Sequence, residues 1–284
     1  MEDRRVLIAG CGDVGALLGD GLLADGWELT ALRRRPQGLP RGFRTIAADL
    51  GDPASLAPLA EHAFSHVVFA AAPGGFDAAL YRRVYVEGPR NLLAVLRGEP
   101  RVILVSSTGV YHQEDGSRVD EDSPTEPAGF SGRTLLEAEQ ALRTAIGDRL
   151  SVLRLGGIYG PGRERLLEKV AAGVGCPREP VRYTNRIHRD DAAGILQFLL
   201  LRAGPGGLWC GVDCDPAPMW EIRQWIAGKL GVRLDDTRES VFQRGGNKRV
   251  SNRRLLEAGY RYCYPDYRAG YGPLIEAWLR RARP

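Results

Sequence analysis

The chain of 284 residues is 44% hydrophobic and 26% charged and carries a formal charge of +4, enough length for a sizeable core in one large or two unequal domains. Mild basicity without a concentrated basic stripe argues against nucleic-acid binding, and the longest later apolar run, residues 195–201, is broken by Gln197 and too short to span a membrane. Five scattered cysteines, an odd number (Cys11, Cys176, Cys210, Cys214, Cys263), argue against a disulfide framework, and with no apolar leader after Met1 the expectation is a cytoplasmic protein.

Residues 6–9 form a short apolar run without a polar face, the pattern of a buried parallel strand. It leads into Gly10-x-Gly12-x-x-Gly15 and then a helical pattern with Val14, Leu17, Leu18, Leu22 and Leu23 on one side. A glycine triplet between a strand and a helix is the dinucleotide fingerprint. Gly10 permits the tight turn, Gly12 lets backbone approach a pyrophosphate, and Gly15 lets helix and strand pack closely; the amides of Asp13, Val14 and Gly15 then face the phosphates. Cys11, between the glycines, is a small filler.

Residues 27–32 read as a second strand, ending in Arg33-Arg34-Arg35-Pro36. An acid at this strand end takes the ribose hydroxyls of NAD, whereas an arginine accommodates the extra phosphate of NADP. Arg33 and Arg34 stand there, so NADP is expected, with NAD the alternative. Residues 45–50 read as a short strand, and Asp52-Pro53 opens a helix to about residue 62. Residues 66–72 form another buried strand, whose small end, Ala70-Ala71-Ala72, lets the chain run beside a cofactor. One long helical pattern passes through Tyr81, Val84, Tyr85, Asn91, Leu92, Val95 and Leu96. A fifth strand over 102–107 ends in the hydroxyls of Ser106 and Ser107.

This alternation predicts an α/β fold, a Rossmann-type doubly wound parallel sheet. Ligands of such sheets gather at the carboxyl ends of strands, where the Gly12 turn, Arg33, Asp49, Ala70 to Ala72 and Ser107 all fall. Residues 113–127 read as an acidic loop, 131–145 as a helix, 151–155 as a strand and 156–162 as a turn. Beyond them the alternation is lost, apart from a helix over 219–230 and a solvated C-terminal helix end with Arg280, Arg281 and Arg283. The expected division is a dinucleotide-binding domain over 1–160, to which the chain returns near 185–204, and a smaller substrate-binding region over 161–284, with selectivity in 161–184 and 208–249. Cys210 and Cys214 have no His or Cys pair nearby, so buried thiols and no metal are expected.

Four segments carry a wider resemblance. Val105-Ser106-Ser107-Thr108-Gly109-Val110-Tyr111, Arg154-Leu155-Gly156-Gly157-Ile158-Tyr159-Gly160-Pro161-Gly162, Asn185-Arg186-Ile187-His188-Arg189-Asp190-Asp191-Ala192 and Asn247-Lys248-Arg249-Val250-Ser251-Asn252 occur in the order of four motifs of the extended short-chain dehydrogenase/reductases. The chain resembles that family, which includes nucleotide-sugar epimerases and dehydratases, over essentially its whole length. The resemblance implies that Asp49 and Leu50 flank an adenine and that Ala70, Ala71 and Ala72 line the ribose and nicotinamide path. Gly156, Gly157 and Ile158 would cross near the nicotinamide with Ser106 beside the cofactor, and Ser107 would polarise a substrate carbonyl. It also implies a small polar or nucleotide-linked substrate and a homodimer through the long helices near Tyr85 and Leu136.

Two departures stand out. The fingerprint is one residue shorter than the family's, and the family's proton-transferring Tyr-x-x-x-Lys pair is missing: Ser131 and Leu135 occupy its places, or Phe130 and Thr134 if the register slides by one. A free phenol titrates near ~10, so it needs the lysine's help at neutral pH. Arg133 cannot replace that lysine, being two residues from Leu135 and on the far side of the helix. Tyr111, His188 and Glu137 are candidates for a relocated acid, each with a plainer role: Tyr111 in packing, as for Tyr159, His188 capping a helix near Asp190, and Glu137 in solvent. Two classes follow: an NADP-binding oxidoreductase or epimerase-like enzyme with Ser107 and Tyr111 at a non-standard site, or a catalytically silent cofactor-binding sensor or scaffold.

Overall fold

A computed structural model describes residues 4–202, 204–237 and 246–282. Arg283 and residues 238–245 of the expected selectivity region lie outside the described residues. In chain order the elements are β1 (Arg5–Ala9), α1 (Asp13–Ala24), β2 (Glu28–Arg33), β3 (Arg44–Ala47), β4 (His66–Phe69), α2 (Ala78–Arg82), α3 (Gly88–Val95), β5 (Arg101–Ser107) and β6 (Arg118–Val119). Then come α4 (Phe130–Ile146), β7 (Leu150–Leu155), β8 (Gly157–Tyr159), α5 (Arg165–Ala171), β9 (Arg186–His188), α6 (Arg189–Leu201), β10 (Leu208–Gly211), α7 (Met219–Leu230), β11 (Arg249–Val250), α8 (Arg253–Glu257) and α9 (Tyr267–Ala282).

Seven strands form the central sheet in the order β10-β7-β5-β4-β1-β2-β3. Around β1 the pairs are parallel and in register, with Ala9 opposite both Leu32 and Phe69, and Phe69 opposite Leu104. The strands therefore end level, and the chain leaves β1 for β2 on one side while β4 lies on the other. That reversal is the crevice where doubly wound sheets bind ligands. The apolar runs are continuous because both faces of these strands are covered; Val6, Leu7, Ile8 and Ala9 are all fully buried.

Two predicted helices take other forms. Asp52 Oδ1 accepts from the Ala54 N–H at 3.1 Å, but the following turns (Pro53–Glu61) are a 3₁₀ helix containing Pro58. Proline lacks the N–H of an α-helical ladder, and its ring crowds the carbonyl four residues back. The single long helix expected around Tyr85 is broken into α2, a π turn over Arg83–Glu87, and α3. Pro89 has no N–H to offer Tyr85, and the Gly88 N–H bonds to the Arg83 oxygen five residues back instead.

The chain divides into two compact units. The first takes Met1–Val110, Pro127–Arg154 and Ala193–Trp209, and its core runs through Leu7, Leu32, Leu56, Phe69, Leu104 and Leu142. The second takes Tyr111–Glu126, Leu155–Ala192 and Cys210–Pro284, around Tyr159, Leu167, Ile222, Ile226, Tyr271 and Ile275. Residues 111–126, expected in the first domain, thus belong to the second. The acidic loop contains β6, which pairs parallel with β11, Arg118 opposite Arg249 and Val119 opposite Val250. The turn expected over 156–162 contains β8, paired parallel with β9.

Candidate cofactor site

Each fingerprint glycine has its own physical reason. Gly10 has φ +85°, and a Cβ there would strike the Ala71 backbone at the end of β4. Its N–H and that of Cys11 both bond to the Leu32 oxygen, at 2.9 and 3.2 Å, tying the turn to the end of β2. A Cβ on Gly15 would sit 3.1 Å from Ile8 Cγ2, so α1 lies as close to β1 as a glycine allows. Gly12 has neither constraint. Its φ is −90°, open to any residue, and a Cβ would meet nothing nearer than the Gly10 oxygen at 4.0 Å. It is the N-cap of α1 and brings no capping side chain, which leaves backbone amides and the positive helix end to define the local chemistry.

Arg33, at the end of β2, reaches back over this turn, its Nη1 donating to the Cys11 oxygen at 3.3 Å. Arg34 is exposed. The Cys11 thiol is fully buried, and burial pushes its pKa up to about 11, which suits a filler and not a nucleophile. Asp49 and Leu50 follow β3, with the Ala48 N–H bonded to the Arg33 oxygen at 3.4 Å. The Ala70 N–H bonds to the Ala9 oxygen at 2.8 Å, so Ala70 and Ala71 run beside the fingerprint while Ala72 is exposed. These residues of the first unit all stand at or just beyond the carboxyl ends of β1, β2, β3 and β4.

The two serines of β5 part company. Ser107 is half-buried and its Oγ accepts from the Gly109 N–H at 3.1 Å. The Ser106 hydroxyl points into the core and donates to Glu139 Oε1 at 2.6 Å, which leaves only the Ser106 backbone for the expected place beside the cofactor. Arg154 of β7 donates to the same carboxylate from Nε at 3.1 Å and Nη2 at 2.6 Å. Glu139 and Arg154 are both buried, a geometry that fixes α4 to β5 and β7.

Ser131, Leu135 and Glu139 stand four residues apart, one above another on the same face, and Leu135 is buried with Glu139. Neither pair of positions that the resemblance allows, Ser131 with Leu135 or Phe130 with Thr134, brings a phenol or an ammonium to this helix. Arg133 is exposed and donates to the Ala128 oxygen. Glu137 faces outward, paired with Arg82 at 2.7 Å.

The remaining sequence candidates lie in the second unit. Tyr111 is buried, its hydroxyl 3.2 Å from Cys210 Sγ. Gly156 leaves β7 pressed against the Asn185 backbone, and Gly157 and Ile158 belong to β8. His188 caps α6, its Nδ1 accepting from the Asp190 N–H at 3.3 Å, and packs between Tyr159 and Tyr264. Burial holds the imidazole pKa below its usual value. Cys210 is buried but Cys214 is exposed, so the expectation of buried thiols holds for only one of the two. Among the described residues no group of three or more His, Cys, Asp or Glu is placed to hold a metal, and no helix is long and apolar enough to cross a membrane.

The second unit also holds a buried carboxyl that the sequence did not signal. Asp213 Oδ1 accepts from the Asp215 N–H at 3.3 Å, while Oδ2 has no hydrogen-bond partner among the described residues. Burial pushes its pKa up to about 8 against the lowering effects of the Asp215 N–H and Arg186. An unfolded aspartate titrates near ~3.9, so folding takes up a proton between the two values. This group's contribution to stability is thus full below pH ~4 and declines, at up to about 1.4 kcal/mol per pH unit, until the folded pKa is passed. Asp213→Asn removes that slope. Its thermal midpoint is expected to gain on the parent as pH rises from 5 to 8, and parallel melting curves would contradict this.

Residues 6–181 match the family model of the NAD dependent epimerase/dehydratase family. The chain belongs to that family. Among its relatives is Protein YeeZ of Escherichia coli K12, 30% identical, with 93% of this chain and 97% of YeeZ covered. A solved structure from Methylobacillus flagellatus, described as an NAD-dependent epimerase/dehydratase, is 40% identical, covers 98% of this chain and 100% of its own, and superposes with a TM-score of 0.84. Human epimerase family protein SDR39U1, solved with NADPH, is 26% identical over 96% of this chain and 99% of its own, with a TM-score of 0.77. Membership of the epimerase/dehydratase family agrees with the seven-stranded sheet and its strand order.

Proposed function

We propose that the chain is an NADP-binding oxidoreductase or epimerase-like enzyme acting on a small polar or nucleotide-linked carbonyl or sugar. The observation that carries this reading is Gly12, a glycine required by neither backbone angle nor packing, at the head of a helix beside Arg33. A diphosphate explains it, since only a ligand's close approach forbids a Cβ there. Bound NADP supplies the redox chemistry; the chain supplies orientation. The amides of Asp13, Val14 and Gly15 face the diphosphate, Arg33 and Arg34 the 2′-phosphate, and Ser107 a substrate carbonyl. The structure of SDR39U1 with NADPH supports the same choice of dinucleotide. In fluorescence titrations NADPH is expected to bind at least about tenfold tighter than NADH, roughly 1.4 kcal/mol, and Arg33→Ala to erase the difference. Tighter NADH binding would overturn the role given to Arg33 and Arg34.

A second reading, a protein that binds the dinucleotide without turning it over, rests on Ser131 and Leu135 in the places of the proton-transfer pair. Oxidation of NADPH over a panel of carbonyls and sugar nucleotides separates the two. Turnover lost in Ser107→Ala supports the enzyme; binding without turnover across the panel supports the silent form.

A further inference from the structure

Arg186 opens β9 in the second unit, half-buried, with all three of its nitrogens held. Nε donates to Thr184 Oγ1 at 3.1 Å, Nη1 to the Tyr271 hydroxyl at 3.2 Å and Nη2 to Met219 Sδ at 3.4 Å. The guanidinium carbon lies 5.9 Å from the centroid of the Tyr271 ring. These partners are themselves fixed: Thr184 Oγ1 donates to the Ala217 oxygen at 3.3 Å, and Tyr271 stacks on Tyr159 with centroids 4.4 Å apart. All three acceptors are neutral, and among the described residues no carboxylate pairs with this arginine. A guanidinium carries five N–H groups, so these bonds leave one N–H on each terminal nitrogen. Such a pair of donors matches two oxygens of one anion.

An acid that could compensate the charge stands next to it and does not. The Asp213 N–H donates to the Arg186 oxygen at 2.6 Å, yet its buried Oδ2 has no hydrogen-bond partner among the described residues. Burial keeps this carboxyl protonated up to a pKa of about 8, although Arg186 draws it down. The other titratable groups around it are Tyr159 of β8, Tyr271 of α9, Tyr262, the thiol of Cys214 and the acids Asp215 and Asp266. Burial lifts the three phenols and the thiol above their usual values, out of the range of Asp213. Stability gives no reason to hold a half-buried charge without a counter-ion; an anionic ligand does.

We infer that Arg186 receives an oxyanion carried by the substrate and that Asp213 switches this site, leaving the guanidinium's charge to the ligand when protonated and taking it up when ionised. The ligand is the polar or nucleotide-linked substrate of the reading above, on which this assignment rests, now with a negative charge placed on it. The test is calorimetric titration of the whole chain with sulfate and with acetate, whose charges are constant between pH ~6 and pH ~9. NADPH is present throughout, so that the turn before α1 is filled. Arg186→Gln should weaken binding of the anion that fits by about tenfold or more at pH ~6, and Arg186→Lys by less. NADPH affinity should hold in both. From pH ~6 to pH ~9 the parent should lose about tenfold as Asp213 ionises, while Asp213→Asn stays level. Tighter sulfate than acetate assigns a phosphate, and the reverse a carboxylate. Binding by Arg186→Gln equal to that of the parent, no binding of either anion by the parent, or one pH course shared by the parent and Asp213→Asn would each overturn the inference. Loss of NADPH binding in the parent, with the anion results as expected, would instead sink the dinucleotide reading alone.

Discussion

Gly12→Ala is expected to weaken dinucleotide binding by about a hundredfold or more, roughly 2.7 kcal/mol, while the protein stays folded. The added methyl meets no protein atom closer than 4.0 Å and the backbone stands at φ −90°, so only the N-cap preference for glycine over alanine is lost, about 1 kcal/mol or less. What the methyl does occupy is the approach to the first amides of α1, where a diphosphate must come within hydrogen-bond distance. Gly10→Ala is the contrasting variant. With φ +85° and the Ala71 backbone in the way, it should lower the melting temperature sharply before any ligand is added. Calorimetric melting and NADPH titration of both variants check the pair. If Gly12→Ala bound NADPH as the parent does, the turn would not be a phosphate site.

Glu139→Ala is expected to cost about 3–5 kcal/mol of folding stability. The carboxylate carries two bonds from Arg154 and one from Ser106, and its removal leaves a guanidinium buried with its charge uncompensated. Replacing both partners, as in Glu139→Leu with Arg154→Met, should restore much of the loss, because neither ion then has to leave water. Denaturant unfolding of the single and double variants measures the coupling. Equal losses in the single and the double variant would mean that the triad is not a unit.

The sheet and the fingerprint were legible because their signals are local: uninterrupted apolar runs mark strands covered on both faces, and the glycine spacing marks a turn between strand and helix. Arg33 was legible for the same reason, standing at a strand end that the alternation locates. What escaped the sequence depends on atoms far apart along the chain. Ser106 and Ser107 are neighbours with similar side chains, and only Glu139 and Arg154 explain why Ser106 turns inward. Arg83 lies in a regular helical pattern, and nothing local shows that Pro89 opens the turn that lays it over Gly51. The burial of Glu139 one turn beyond Leu135 was likewise hidden, because its partners Ser106 and Arg154 lie on other strands.

The small pairing of Arg118 with Arg249 and of Val119 with Val250 bears on how the chain comes off the ribosome. The second unit is written in three separate stretches, and its two-stranded ladder joins an early stretch to the last. The ladder that ties residues 111–126 into this unit therefore cannot form until residues 249 and 250 have been synthesised. Contacts of such long sequence separation form slowly, and the interval before they form is when a partly folded chain is most exposed to aggregation and chaperone capture.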